Sequence, residues 1–304
     1  MNFRFGINNL TEVLRQLEEA IAWLRKLNVN CSASRITLYR THIQKLIRSI
    51  ESGTLTELLE SAGEQALINS LYEISTINTI YQGLKSIEAT PGLINRLNEL
   101  ILGTTDVRNE GQKPSSHKGR DTSFELIMAS FFSQAAYSIN IDTDADLLAS
   151  NQNISLIIEC KRPRSSHSLR GALKSAKHQL ANRYNTISNK NNSYGVIAIS
   201  IDIIVNPQHF YLLTSDSDSI NNILTKEAYN FIHSNLSLWR TILHNNTLGV
   251  LALLRTIAIV RDVNMIATCS FMTGTNLHIP GSPQTLFFKT ISNDLTNVMT
   301  TNQS

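Results

Sequence analysis

The chain has 304 residues, a formal net charge of +3, 42% hydrophobic and 17% charged residues. That balance excludes a disordered chain and leaves room for one large or two modest cores. The three cysteines, Cys31, Cys160 and Cys269, lie far apart and lack CxxC spacing, which excludes a disulfide framework and a structural zinc site. A reduced, cytoplasmic setting is the expectation.

The opening segment MNFRFGINNLTEVLRQ has no long apolar core of the kind a secretory signal carries. From Leu10 to Leu27 apolar residues recur at helical spacing: Leu10, Val13, Leu14, Leu17, Ile21, Leu24. Comparable patterns fill 35–50, 55–84 and 92–102, punctuated by Gly53 and the Pro91-Gly92 pair. Residues 1–105 are therefore expected to form an all-helical domain. It is nearly neutral, with 11 Lys/Arg and 12 Asp/Glu over residues 1–110, which suits binding to protein, a second copy or a partner subunit. The polar stretch 103–119, GTTDVRNEGQKPSSHKG, supplies a linker, set at 106–118.

Beyond it the pattern changes. Residues 122–137 read as a helix with a Phe124, Ile127, Met128, Phe131 stripe, and the acids of DTDADLLAS (142–150) lead into a short strand. The turn Asn151-Gln152-Asn153 then opens a second strand, ISLIIECKRPRS, so 146–161 is expected to be a hairpin. In that strand Ile154, Leu156, Ile158 and Cys160 share one face; Ser155, Ile157, Glu159 and Lys161 share the other. Residues 169–187 form a basic helix, 194–202 a β-branched strand and 208–214 a further strand. The segment 219–270 is expected to be mainly helical, including LGVLALLRTIAIVRDVNMIA (248–267), whose Arg255, Arg261 and Asp262 make it a buried helix rather than a membrane span. The polar tail after 290 is expected to fray. The fold class is thus α/β, a mixed sheet flanked by helices with a helical block in front.

Charge concentrates in the middle. Residues 161–190 hold eight basic side chains and no acid, a segment that attracts a polyanion such as phosphate backbone. Arg120, Arg162, Arg164, Arg170, Lys174, Lys177 and Arg183 are the candidate nucleic-acid contacts; His167 and His178 have no partner at ligand spacing. No GxSxG or Walker loop is present, and Ser123, His42 and Asp216 lack the spacing of a triad. Four residues stand out for chemistry. If the hairpin closes at 151–153, Asp146 meets Glu159 and Lys161 near one end, with Glu125 on the preceding helix. Two carboxylates there suit Mg²⁺, which needs one or two of them beside its waters.

The series Glu125…Asp146…Glu159-Cys160-Lys161 resembles the PD-(D/E)XK nuclease superfamily, the restriction-endonuclease-like enzymes. In that superfamily a helix acid, an Asp on the first hairpin strand and E-x-K on the second follow in this order. The resemblance covers residues 122–202. Ala145 stands where a Pro is common, and Asp142 and Asp144 compete with Asp146 for its role. Gln179 in AKHQLANRY, with Tyr184, resembles the Gln of RecB-like members. The resemblance implies a restriction-endonuclease-like domain over 119–304. It implies a nuclease that hydrolyses DNA with Mg²⁺ (Mn²⁺ substituting), in bacterial or phage antiviral defence or DNA processing. Asp146, Glu159 and Glu125 would be metal ligands, Lys161 would position water, and Gln179 would hold the geometry. A non-cutting nucleic-acid-binding or assembly subunit with the same fold is the alternative.

Overall fold

A computed structural model describes residues 2–6, 10–32, 34–52, 63–105, 117–186, 192–207, 211–214, 216–242, 246–260 and 265–301. Strand β1 (Asn2–Gly6) precedes α1 (Leu10–Lys26), α2 (Arg35–Ser52), α3 (Glu64–Leu84) and α4 (Pro91–Leu100). Thr90 caps α4, its side chain accepting from the Leu93 N–H, and Pro91 occupies the first turn, where a missing N–H costs nothing. Then come α5 (Lys118–Gln134), β2 (Ser138–Asn140), β3 (Leu147–Ser150), β4 (Ser155–Lys161), α6 (Ser166–Thr186) and β5 (Ser193–Ser200). The chain closes with α7 (Asp202–Val205), β6 (Leu212–Thr214), α8 (Ser217–Ser234), α9 (Leu236–Arg240), β7 (Thr247–Val260), β8 (Met265–Asn276) and α10 (Pro283–Thr301).

The strands form one mixed sheet in the order β1-β8-β7-β5-β4-β3-β2, with β6 also pairing β7. The meander β2-β3-β4 is antiparallel, and α6 carries the chain over to β5, which runs parallel to β4. Strand β7 is parallel to β5 and antiparallel to β8. Side-chain alternation sorts the sheet's two faces. Leu156, Ile158, Val196, Ala198 and Leu251 join the core of α1–α5 and α10. Ile157, Ile197, Ile199, Val250 and Ala252 join that of α6, α8 and α9. Among the described residues no helix is long and apolar enough to cross a membrane.

Five sequence expectations change. The first hundred residues are not wholly helical, because β1 adds an edge strand to β8. The helical block shares one continuous core with the sheet, and Gly83 of α3 lets that helix approach α5 so closely that a Cβ there would lie 2.5 Å from the Ser130 Cβ. Of the expected linker, 106–116 lie outside the described residues, and 118 already belongs to α5.

Of the segment 248–267, expected as a helix, 248–260 belong to β7 and 265–267 to β8, its antiparallel neighbour, while 261–264 lie outside the described residues. Strand β7 is covered by helices on both faces, so most residues on either face are apolar and the period-2 signature is lost. The tail after 290 continues α10, with Ile291, Leu295 and Val298 buried. Phe288 of α10 packs on a glycine pair, where a Cβ at Gly249 would meet its ring at 2.6 Å and one at Gly274 at 2.7 Å.

Candidate active site

Local hydrogen bonds shape the backbone that carries the acids. The Thr143 Oγ1 accepts from the Ala145 N–H at 3.1 Å and the Asn140 Oδ1 from the Asp142 N–H at 2.9 Å, turning the chain into β3 just after Asp146. Asn151 Oδ1 accepts from the Asn153 and Ile154 N–H groups and closes the hairpin. Its register sets Leu147 opposite Ile158, so Asp146 reaches the Glu159 end of β4. After β4, Ser165 caps α6 by accepting from the Ser168 N–H at 3.2 Å.

At that end Asp146, Glu159 and Lys161 come together. Asp146 Oδ2 accepts from the Cys160 N–H at 2.8 Å and from Lys161 Nζ at 3.1 Å. Lys161 also donates to Glu159 Oε2 at 3.3 Å and to the Cys160 carbonyl at 3.0 Å. Glu159 is wholly buried, and its other oxygen accepts from Arg183 Nε at 2.6 Å. Burial, and then the neighbouring Asp146 charge, push the Glu159 carboxyl above its ordinary pKa, against the pull of Arg183 and Lys161. The same burial and the same carboxylate push the Cys160 thiol well up. Of the three candidate aspartates, Asp146 is the one bonded to Lys161. Asp142 instead accepts from the Gly92 N–H at the start of α4, and Asp144 lines a cavity of about 770 Å³ with Asp146, Glu125 and Glu99.

Several expected roles move. Glu125 projects from α5 into an ion pair with Arg96 of α4, which also donates to the Ala145 carbonyl at 3.3 Å. Glu125 is therefore not gathered with the other two acids: among the described residues no cluster of three or more His, Cys, Asp or Glu is arranged to hold a metal ion. Arg183, expected on phosphate, holds Glu159 instead, and the residue expected to steady the site, Gln179, bonds Ser175 one turn back. Arg120 is buried in an ion pair with Glu73, which Arg35 reaches from the other side at 3.1 Å. Burial alone would raise Glu73, yet these guanidiniums hold it down at about 2.

Lys177 donates to the Thr241 carbonyl, capping the C-terminus of α9, and Arg162 pairs with Asp121 at 3.5 Å. Arg170 and Lys174 stay on the exposed side of α6. Arg164 lines a cleft of about 370 Å³ with Lys161, Glu125 and Ser168. Arg96 and the partnership of Arg183 with Glu159 were missed. Arg96 had no signal beyond being a lone cation in a neutral helix, whereas Arg183 stood out only as one base among eight.

No family model matches the chain, and no curated protein or solved structure is similar to it.

Proposed function

We propose that the protein is a divalent-metal-dependent nuclease acting on DNA, with a restriction-endonuclease-like core. One observation carries the reading: Glu159, wholly buried, shares Lys161 with Asp146 at one end of a hairpin, so two carboxylates and an ammonium group converge beside an open cleft. Burying a carboxylate against a second one costs stability, which a fold retains where the pair has work to do. The run α5-β2-β3-β4-α6-β5, with its antiparallel meander and parallel return, supports the same reading because it contains the helix, hairpin, helix and strand in the superfamily's order.

The pair fits Mg²⁺ or Mn²⁺, since repulsion between Asp146 and Glu159 is what a cation relieves and two carboxylates suffice for it. Asp146 and Glu159 would hold the ion; when bound, it would polarise the phosphoryl oxygen and acidify water. Lys161 Nζ, on the cleft side of the pair, orients the attacking water and balances negative charge growing on the phosphoryl group. Arg183 fixes Glu159 in one rotamer. Arg164 at the cleft, with Arg170 and Lys174 on α6, takes the flanking phosphates without reading base sequence. The neutral helical block is the surface for a second copy or a partner protein, and antiviral defence in the cytoplasm is the setting proposed with it.

The test incubates wild type and Lys161→Ala with supercoiled plasmid and linear DNA in Mg²⁺, Mn²⁺ or EDTA. Metal-dependent cleavage lost in the variant is the expected result. The second reading, a non-cutting nucleic-acid-binding or assembly subunit, draws on the fact that Lys161 and Arg183 already occupy both oxygens of Glu159. DNA binding without cleavage, and no thermal stabilisation by either cation, would select it.

A further inference from the structure

A second polar chamber lies across the sheet from Glu159, between the helical block and the carboxyl ends of β4 and β5. Arg162 follows β4, while Ser200 and Asp202 end and follow β5. With Arg255 of β7, Arg120 of α5, and Tyr72 and Glu73 of α3, they line a cavity of about 50 Å³. Crevices at the carboxyl ends of parallel strands are where α/β sheets place their ligands.

The lining is unusual for its charge. Three guanidiniums, Arg120, Arg162 and Arg255, face two carboxylates, Glu73 and Asp202, and Glu73 is further shared with Arg35 behind it. Arg255 carries the argument. It is 3% exposed, and its guanidinium donates only to hydroxyls: Thr76 Oγ1 at 2.7 Å, Ser75 Oγ at 3.1 Å and Ser270 Oγ at 3.3 Å. Among the described residues it makes no ion pair. Asp202, an acid of the same lining, accepts from the Arg255 backbone N–H at 2.8 Å and the Tyr72 hydroxyl at 2.5 Å. Hydroxyls satisfy the donors of a guanidinium, and the Tyr72 ring, 5.0 Å from the Arg255 Cζ, and the Asp202 carboxylate offset part of its charge, but the lining still sets three guanidiniums against two carboxylates, an excess that an anion would balance.

We propose that this chamber is a binding site for a tetrahedral oxyanion, phosphate or the phosphate group of a mononucleotide, with Arg255 as its principal anchor and Arg162 at its rim. The space, about 50 Å³, is on the scale of one small oxyanion. Planar guanidiniums recognise such an anion by paired N–H donors. Occupancy reaches the candidate active site through the chain itself. Arg162 is the next residue after Lys161, Phe124 the one before Glu125, and both residues line this chamber and the cleft. The anion thereby ties the helical block to the catalytic end of β4.

The experiment follows thermal unfolding and isothermal titration of the full chain with sodium phosphate, sodium sulfate and AMP against sodium chloride at matched ionic strength. Wild type is expected to be stabilised by phosphate and sulfate but not chloride, with binding weakened roughly tenfold or more in Arg255→Gln, as for the loss of a charge-assisted contact. If Arg255→Gln does not fold, Arg255→Lys, which keeps the charge but not the paired donors, is compared instead, with weaker binding expected. AMP binding tighter than inorganic phosphate identifies a nucleotide as the source, and the reverse identifies the free anion. No stabilisation of wild type, or the same stabilisation in the folded Arg255 variant, overturns the proposal. DNA cleavage assays read the nuclease assignment separately, so either idea can fail alone.

Discussion

Replacing Lys161 with alanine removes the one group that bonds both carboxylates of the site. Its Nζ lies 3.1 Å from Asp146 Oδ2 and 3.3 Å from Glu159 Oε2, so those oxygens sit no more than about 6 Å apart, where two unit charges at an effective dielectric of about 20 repel by about 3 kcal/mol. Glu159 has no solvent to turn to, and Asp146 is only 20% exposed on its side chain. In EDTA the variant should therefore lose about 2 kcal/mol of stability, roughly 3 °C in Tm for a chain of this size. A divalent cation entering the unneutralised pair should restore more stability in the variant than it adds to wild type. Cleavage should fall roughly 10²- to 10³-fold, the loss associated with one preorganised electrostatic contact. Circular dichroism melts in EDTA and Mg²⁺, run beside plasmid nicking, check all three. Equal Tm values in EDTA, with both proteins insensitive to Mg²⁺, would refute the idea that Lys161 neutralises a repelling pair.

Glu159→Gln imitates the protonated carboxyl, the form that burial and Asp146 favour. The variant should lose all cleavage. In wild type the raised pKa means that Glu159 favours folding below the ordinary glutamate range and loses that contribution as pH climbs through its folded value, so melts across acid to neutral pH should separate the two proteins progressively. A double Arg164→Glu, Lys174→Glu variant should flatten the salt dependence of DNA binding by about two units of log–log slope. Arg120→Met should lower Tm by several degrees, because it leaves buried Glu73 with Arg35 alone, yet leave that slope unchanged; a changed slope would return Arg120 to the DNA surface. Gly83→Val should destabilise by at least about 2 kcal/mol, since its added carbons meet backbone of Ser130 at 2.6–2.7 Å, and chemical denaturation reads that directly.

The site hairpin was legible because its signals are local. Alternation along 154–161 assigns Glu159 and Lys161 to one face, and an Asn-rich turn closes the register that brings Asp146 to them. Helices α1, α2, α4, α5 and α6 declared themselves by periodicity or by their place between turn residues. Strand β7 did not: covered on both faces, it is a mostly apolar run without alternation, which periodicity cannot separate from a buried helix.

The sequence by itself determined which residue types stand at the end of β4, since a two-residue repeat and a short turn leave little freedom there. Only the tertiary structure decided what the cations do. A guanidinium on a long flexible stem takes whichever carboxylate the fold delivers within reach, and those partners are remote in the chain: Glu73 for Arg120, Glu159 for Arg183, Glu125 for Arg96. Composition reports an excess of bases, but packing sets which are buried in ion pairs and which stay free to meet phosphate, because desolvation and pairing depend on distances that no local pattern encodes.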